Sequence, residues 1–293
     1  MPTLAPFEIH RPDSVVEASS LLAELGPGAV IYSGGTELLL LMKLGFASFE
    51  HLVDIKPIVE LGALEAGEDS LHIGGAVTHR RLERSPAVAE RWPDLVEMER
   101  VVANVRVRNV GALGGNLAFA DPHSDPATFL LAAGASVSLQ ADGSRRALPL
   151  AEFVLGPYET ALEPGEILCA IDVPAPGPGA AMSHLRFAFH ERPAATVSAM
   201  VRVAHGRIAD ARVAVGSVGA IPVVVDAAAE TLTGQLVGDI DRDVLAGLGE
   251  AGAVASEPVS DANGSDDYKG ALVRTLVGRA VMQATERAVQ RTP

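Results

Sequence analysis

The stretch Ile31–Leu40, IYSGGTELLL, places two adjacent glycines between an apolar run and a row of leucines. Ala29 to Tyr32 reads as a short buried strand, and Thr36 to Leu44 as a helix with Thr36 as N-cap and Gly45 as its stop. Bare backbone at Gly34 and Gly35 admits two readings. Glycine can supply the positive φ of a tight turn, or successive amides at a helix start can receive an anionic group that a Cβ would obstruct.

Outward from this point the chain alternates strands and helices. SVVEASSLLAEL (residues 14–25) has helical spacing and stops at Gly26-Pro27-Gly28, LVDI (52–55) and LHIGGAV (71–77) read as strands, and Thr78 leads the helical THRRLERS. Pro86 to Val105 reads as helix in two pieces around Trp92-Pro93. NVGALGGN (109–116) then interrupts regular structure before Asp125-Pro126 opens the apolar helix PATFLLAAG. From Ala135 the text changes to short alternating runs with a hairpin turn at Asp142-Gly143, followed by the strand EILCAIDVP. PAPGPG (174–179) is the candidate linker. Beyond it, HLRFAF and TVSAMVRVAHGRIADARVAVGSV suggest an antiparallel sheet, while AAAETLTGQ and YKGALVRTLVGRAVMQATERAV suggest helices. The expected architecture is two non-repeating domains, the second a smaller α+β unit.

Composition narrows the function. The 293 residues are 48% hydrophobic and 20% charged, as in a globular protein, with 37 acidic against 23 basic side chains and a net charge of −14. That balance argues against a nucleic-acid surface. The short basic runs His79-Arg80-Arg81 and Arg106 with Arg108 read as solvated faces. A single cysteine, Cys169, excludes an internal disulfide and an iron–sulfur cluster held by this chain alone, since clusters need about four cysteine ligands. Met1-Pro2 opens a stretch without the basic and apolar regions of a secretory signal, and the apolar run near Leu38 is far short of the ~20 residues of a membrane span. The expectation is a cytoplasmic chain without membrane insertion.

Other motifs carry little chemistry. Gly247, Gly249 and Gly252 spell GxGxxG but follow the helix-like DRDVLA instead of a strand, which speaks against a nicotinamide site. Asp121, His123 and Asp125 in ADPHSDP admit a metal reading, but each Asp precedes a proline as an N-cap precedes N1, and either carboxylate can accept from a sugar hydroxyl or a backbone amide. His79 and His190 read as structural. Cys169 lies in an apolar strand, where a thiol is inert, and GxSxG is absent, so hydrolase chemistry has no support and no catalytic side chain is assigned.

Taken together, the motifs resemble a family: the FAD-binding medium subunit of the molybdenum hydroxylases, of the carbon monoxide dehydrogenase and xanthine dehydrogenase type. IYSGGTEL resembles its first pyrophosphate loop, and VRNVGALGGNLAFADPHSDP its second. IGGAVTHRRLERSP, EPGEILCAIDVP and DDYKGALVRTLVGRAV resemble segments between and beyond them, so the resemblance spans nearly the whole chain. It implies an α+β chain. Residues 1–177 would form a PCMH-type FAD-binding domain of two α/β subdomains meeting near residue 56, and residues 178–293 a C-terminal domain with an antiparallel sheet and helices.

Carried over by position, Ile31, Tyr32, Ser33, Gly34, Gly35, Thr36 and Glu37 form the first FAD-binding loop, and Gly111, Ala112, Gly114, Gly115 and Asn116 the second. Asp121 and Asp125 lie toward the adenosine end, Leu168 against the flavin, and Arg186 near the isoalloxazine. Ser33 stands where the family has alanine, Ala112-Leu113 where it has Thr-Ile, and HERPAATV (190–197) where it has an Arg-Arg…Asp pattern. The implied role is electron transfer through FAD, from 2Fe-2S clusters on an iron–sulfur subunit fed by a large molybdopterin-bearing subunit, in a heterotrimer or its dimer. Substrate choice then belongs to the molybdenum subunit, so carbon monoxide, purines, aldehydes and aromatic thioesters all suit this chain, as do quinone, NAD and oxygen as acceptors. Two rival readings are a self-contained flavin oxidoreductase of the same fold and an assembly module without flavin.

Overall fold

The computed structural model describes residues 4–292; Met1 and Pro2, on which the reading of the chain's start rests, lie outside the described residues. The N-terminal segment runs β1 (Glu8–His10), α1 (Val15–Leu25), β2 (Ala29–Tyr32), α2 (Leu38–Leu44) and β3 (His51–Asp54). Ser14 caps α1 by accepting from the Glu17 amide, and Gly26 ends it. The three strands make a parallel sheet in the order β1-β3-β2. Val15 and Ala18 of α1 pack on Val53 and Ile55 in a small core that also takes in Ile167 and Cys169.

The next segment begins with β4 (Leu64–Ala66) and β5 (Ser70–Gly74) and passes into a run of short helices. These are α3 (His79–Arg84), α4 (Pro86–Arg91), α5 (Pro93–Val101), α6 (Val105–Val110), α7 (Leu113–Phe119) and α8 (Asp125–Ala133). Prolines open α4 and α5, as the Trp92-Pro93 break leads one to expect. The hairpin β6 (Ser136–Ala141) and β7 (Ser144–Pro149) turns on Asp142 and Gly143, both at positive φ. After α9 (Leu150–Phe153) come the short pair β8 (Val154–Gly156) and β9 (Glu159–Thr160), and then β10 (Ile167–Pro174). The sheet order is β4-β5-β10-β6-β7. Its core, with Leu71, Ile73, Leu113, Phe129, Leu139 and Ile171 among its fully buried members, packs the helices on one face.

The last segment is an antiparallel sheet, β11 (Ala180–Phe187), β12 (Ala195–Ala204), β13 (Arg207–Gly216) and β14 (Val223–Val224). Helices α10 (Asp226–Leu232), α11 (Arg242–Ala255) and α12 (Asp266–Gln290) accompany it. Val273, Val277, Ala280, Val281 and Ala284 of α12, at helical spacing, are buried against Val197, Ala199 and Val213 of the sheet. The GxGxxG glycines lie inside α11, where a Cβ on Gly249 would sit 2.6 Å from the Arg274 carbonyl oxygen of α12. Gly249 and Gly252 let α11 approach α12, while Gly247 faces open space. No helix among the described residues is long and apolar enough to cross a membrane.

Five sequence expectations need correction. Helix α2 starts at Leu38 with Glu37 as N-cap, because Gly35 at φ +68° holds Thr36 and Glu37 in a turn. Strand β5 ends at Gly74, short of Val77, because a Cβ there would meet the backbone of Leu61 and Ala63 as the chain turns toward α3. Residues 113–116 do not interrupt regular structure: they are the first turn of α7. The cap of α8 is Ser124, whose hydroxyl accepts from the Ala127 amide at 3.2 Å, while Asp125 turns its carboxylate elsewhere. Arg108 is likewise no solvated charge, since it pairs with Glu83 at 3.0 Å and donates to the Val102 carbonyl.

A cavity between two glycine turns

The end of β2 and the junction of α6 with α7 meet back to back. A Cβ on Gly34 would stand 2.6 Å from Gly111 Cα and closer still to the Val110 carbonyl oxygen, so only glycine lets the two turns touch. Behind them Gly114 packs on Gly75, whose Cα lies 2.7 Å from where a Gly114 Cβ would be. Gly115 differs: nothing lies within 4 Å of its missing Cβ, because it faces open space.

That space is a cavity of about 590 Å³. Ile31, Ser33, Gly34, Gly35, Thr36 and Glu37 line it from one turn; Gly111, Ala112, Gly115, Asn116, Asp121 and Asp125 line it from the other. Among the described residues, no backbone acceptor meets the amides of residues 34–37, nor those of Gly114 and Gly115. The Ser33 hydroxyl is buried without a partner. Left unmade, that buried group costs about 1–3 kcal/mol, and with the free amides beside it the cavity offers donors to an acceptor-rich guest. A phosphate-bearing dinucleotide meets that demand, and an adjoining apolar wall of Leu22, Leu41, Phe49, Val102 and Phe119 suits its rings. The residues present fit FAD.

Tyr32, Gly114, Leu168 and Arg186 do not line this cavity. The Tyr32 ring lies under Lys56, whose Nζ is 3.7 Å from the ring centroid, donates to the Ser33 carbonyl and binds Asp54 at 2.6 Å. The Leu168 side chain is buried in the sheet core. Arg186 donates to the carbonyls of Val101 and Glu191 and stands 3.4 Å from Asp125, whose other oxygen is 3.1 Å from His184 Nε2. Asp125 thus ties the second turn to β11.

Two further residues shape the site. Arg192 reaches across the cavity mouth, 2.9 Å from Glu37 and 2.9 Å from Asp121. Burial works against its charge, but the two carboxylates outweigh burial and raise its pKa above the ordinary arginine value. Beside it, Tyr158 makes an edge-to-face contact with Phe119, and its phenol is pushed up by burial and then by the Asp121 charge. His79 lies in the wall, its Nδ1 2.8 Å from buried Glu99. Sequence reading misses Arg192 because its partners lie far off in the chain; the ERP triplet in the divergent HERPAATV is the only local hint. Cys169 is buried, and that burial pushes its thiol up to about 11, in keeping with an inert cysteine.

Comparison with known proteins follows the same lines. The family model for the FAD binding domain in molybdopterin dehydrogenase matches residues 5–176. This chain belongs to that family. The model for the CO dehydrogenase flavoprotein C-terminal domain matches residues 188–284. The carbon monoxide dehydrogenase medium chain of Hydrogenophaga pseudoflava is 33% identical over 283 residues, covering 96% of this chain and 98% of that one. The nicotine 6-hydroxylase medium subunit of Paenarthrobacter nicotinovorans is 31% identical, covering 97% and 99%. Among solved structures, the Hydrogenophaga pseudoflava carbon monoxide dehydrogenase that lacks the Mo-pyranopterin moiety of its cofactor superposes with a TM-score of 0.93 at 32% identity, covering 98% of this chain and 99% of that one. The α+β class is as expected, and this member of the molybdopterin dehydrogenase flavoproteins is an oxidoreductase subunit with an FAD-binding domain.

Proposed function

We propose that this chain is the electron-transfer subunit of a cytoplasmic molybdenum hydroxylase complex, taking electrons from the 2Fe-2S clusters of a partner subunit and passing them through FAD to an external acceptor. A third, large subunit carries the molybdopterin cofactor and oxidises the substrate, in a heterotrimer or its dimer. The division of labour within this chain is residues 1–177 for FAD, in subdomains joined near residue 56, and residues 178–293 for the C-terminal domain. One observation carries the reading: the unpartnered amides at 34–37 and at Gly115 belong to residues that line a single cavity.

Bound there, FAD supplies the conversion of one-electron into two-electron traffic. The chain's own residues bind and orient. The amides of Gly34, Gly35, Thr36, Glu37 and Gly115 would take the pyrophosphate, and the Ser33 hydroxyl would add a donor that alanine lacks. Asp121 and Asp125 stand toward the adenosine end. Arg186 anchors the loop that carries Arg192, through the Glu191 carbonyl. The single cysteine supports a heteromeric assembly, because the relay clusters need ligands from another polypeptide.

The test is reconstitution. The purified chain, stripped of flavin and incubated with FAD, is expected to take up one FAD per chain with oxidised-flavin absorption, yet to oxidise no molybdenum-hydroxylase substrate unless the partner subunits are added. A colourless chain that refuses FAD overturns the flavin assignment and favours an assembly module. A stable, fully active substrate oxidase made of this chain alone overturns the subunit assignment and favours a self-contained oxidoreductase.

A further inference from the structure

The edge strand β1 carries Glu8 and His10 two residues apart, so both side chains leave the same face of the sheet. His51 opens β3 and is the register partner of Glu8. The three side chains converge. His10 Nε2 lies 3.1 Å from His51 Nδ1, Glu8 Oε2 lies 3.8 Å from His51 Nδ1, and Glu8 Oε2 lies 4.0 Å from His10 Nε2. Among the described residues this is the one group of three or more such side chains whose ligand atoms all fall within 4.8 Å of one another.

Those edges have a chemical meaning. A tetrahedral cation bound at about 2.0–2.2 Å by nitrogen and carboxylate oxygen separates its ligand atoms by about 3.3–3.6 Å. The measured triangle straddles that value, and the long edges both end on Glu8, whose side chain is 76% exposed and free to close. A hydrogen bond between the imidazoles accounts for the short edge, and strand register brings the Glu8 carboxylate within 4.0 Å of both ring nitrogens, so all three groups can close on one cation. Two imidazoles with one carboxylate suit the zinc class of divalent cation and disfavour magnesium and calcium, which take oxygen donors. The two histidines are about a quarter exposed, so a fourth ligand position opens to water.

We propose that Glu8, His10 and His51 form a binding site for a zinc-class divalent cation. The cation pins the three-residue edge strand β1 to β3 in the sheet whose other strand, β2, leads into Ser33 and Gly34. The site involves none of the residues assigned to FAD, and its occupancy is read without flavin chemistry.

The test is titration of the full-length chain, freed of metal with a chelator, with zinc chloride in a calorimeter, and with cobalt chloride followed by its visible ligand-field absorption. The expected result is one saturable zinc per chain, matched by cobalt absorption that zinc displaces. Replacing His10→Ala or His51→Ala is expected to weaken binding by about a hundredfold, and Glu8→Gln by about tenfold. His72→Ala, at the half-buried His72–Asp172 pair, is expected to leave binding unchanged. Circular dichroism and FAD uptake show whether each variant folds, and Glu8→Gln with His10→Gln on the edge strand serves if His51→Ala does not. Absence of saturable zinc binding, or binding that survives the loss of the imidazoles in a folded variant, overturns the proposal.

Discussion

Two glycines, one from each loop, do opposite work. Gly34 is glycine because its neighbour is the backbone of Val110 and Gly111, whereas Gly115 is glycine beside open cavity. Neither role is visible in the letters, although the letters place both loops. Alanine separates them. Gly34→Ala drives a Cβ into rigid backbone and is expected to lower both the melting temperature and FAD uptake. Gly115→Ala meets nothing, sits in a helix, and by helix propensity is favoured by up to about 1 kcal/mol. It is expected to keep or raise the melting temperature of the flavin-free chain while weakening FAD binding about tenfold or more, if FAD approaches that Cα. Equal FAD affinity for Gly115→Ala and the wild type, by flavin fluorescence titration, would show that the second loop is not in the cradle. Arg192 marks the limit of reading residues in order. Its meaning lies in two carboxylates, one on each side of the cavity mouth, that only the fold brings to it.

At the scale of elements, the sequence names the longer strands and helices, passes over short ones such as β1, β4, α6, α7 and the β8–β9 pair, and errs where a helix begins. Thr36 and Asp125 both look like caps, and both yield to tertiary demands: the amides beyond Thr36 stay free in the turn, and the Asp125 carboxylate is drawn to His184 and Arg186 of β11. The start of α12 shows a further contact that no local pattern encodes. Buried Lys269 stands 2.7 Å from Asp261, and His123 of the second turn is 3.2 Å from the same carboxylate. Burial disfavours the charged Asp261, but Lys269, the Asn263 amide and His123 together outweigh it and hold its pKa below the ordinary aspartate value. A carboxyl whose folded pKa is depressed contributes stability above its unfolded pKa and loses it as the pH falls through the folded one. Asp261→Asn is therefore expected to lower the melting temperature most at neutral pH. The gap to the wild type should close as the pH drops below about 4, the ordinary aspartate value. A gap that stays constant down to pH ~3 would mean that the Asp261 charge does not hold α12 in place.

The whole molecule depends on how its last helix is fastened to the FAD-binding half. Arg287 and Arg291, near the end of α12, converge on Asp94 of α5. Arg291 makes two bonds to it at 2.6 and 2.8 Å, Arg287 stands 3.4 Å away, and the Met182 amide of β11 donates at 2.8 Å. The Asp94 side chain is only 9% exposed, so its partners satisfy a carboxylate that water scarcely reaches. PAPGPG reads as a free linker in the sequence, yet Pro174 ends β10 and accepts from the Trp92 indole, so even the connection is held. The order of elements along the chain is legible because periodicity and glycine–proline punctuation are local. How the halves are clamped is not, because Asp94 looks like any acidic residue in the first turn of a helix. Removing one partner of a buried ion pair costs about 3–5 kcal/mol. With the arginines partly exposed, Asp94→Ala is expected near the low end of that range, as an earlier unfolding transition in urea. Asp94→Asn keeps an acceptor for the Met182 amide and is expected to lose less. If the clamp couples the halves, Asp94→Ala also splits a single transition into two, with the FAD-binding half unfolding apart from the C-terminal sheet. A single, undisplaced transition in both variants would show that the hydrophobic contacts of β11 and α8 hold the halves together without it.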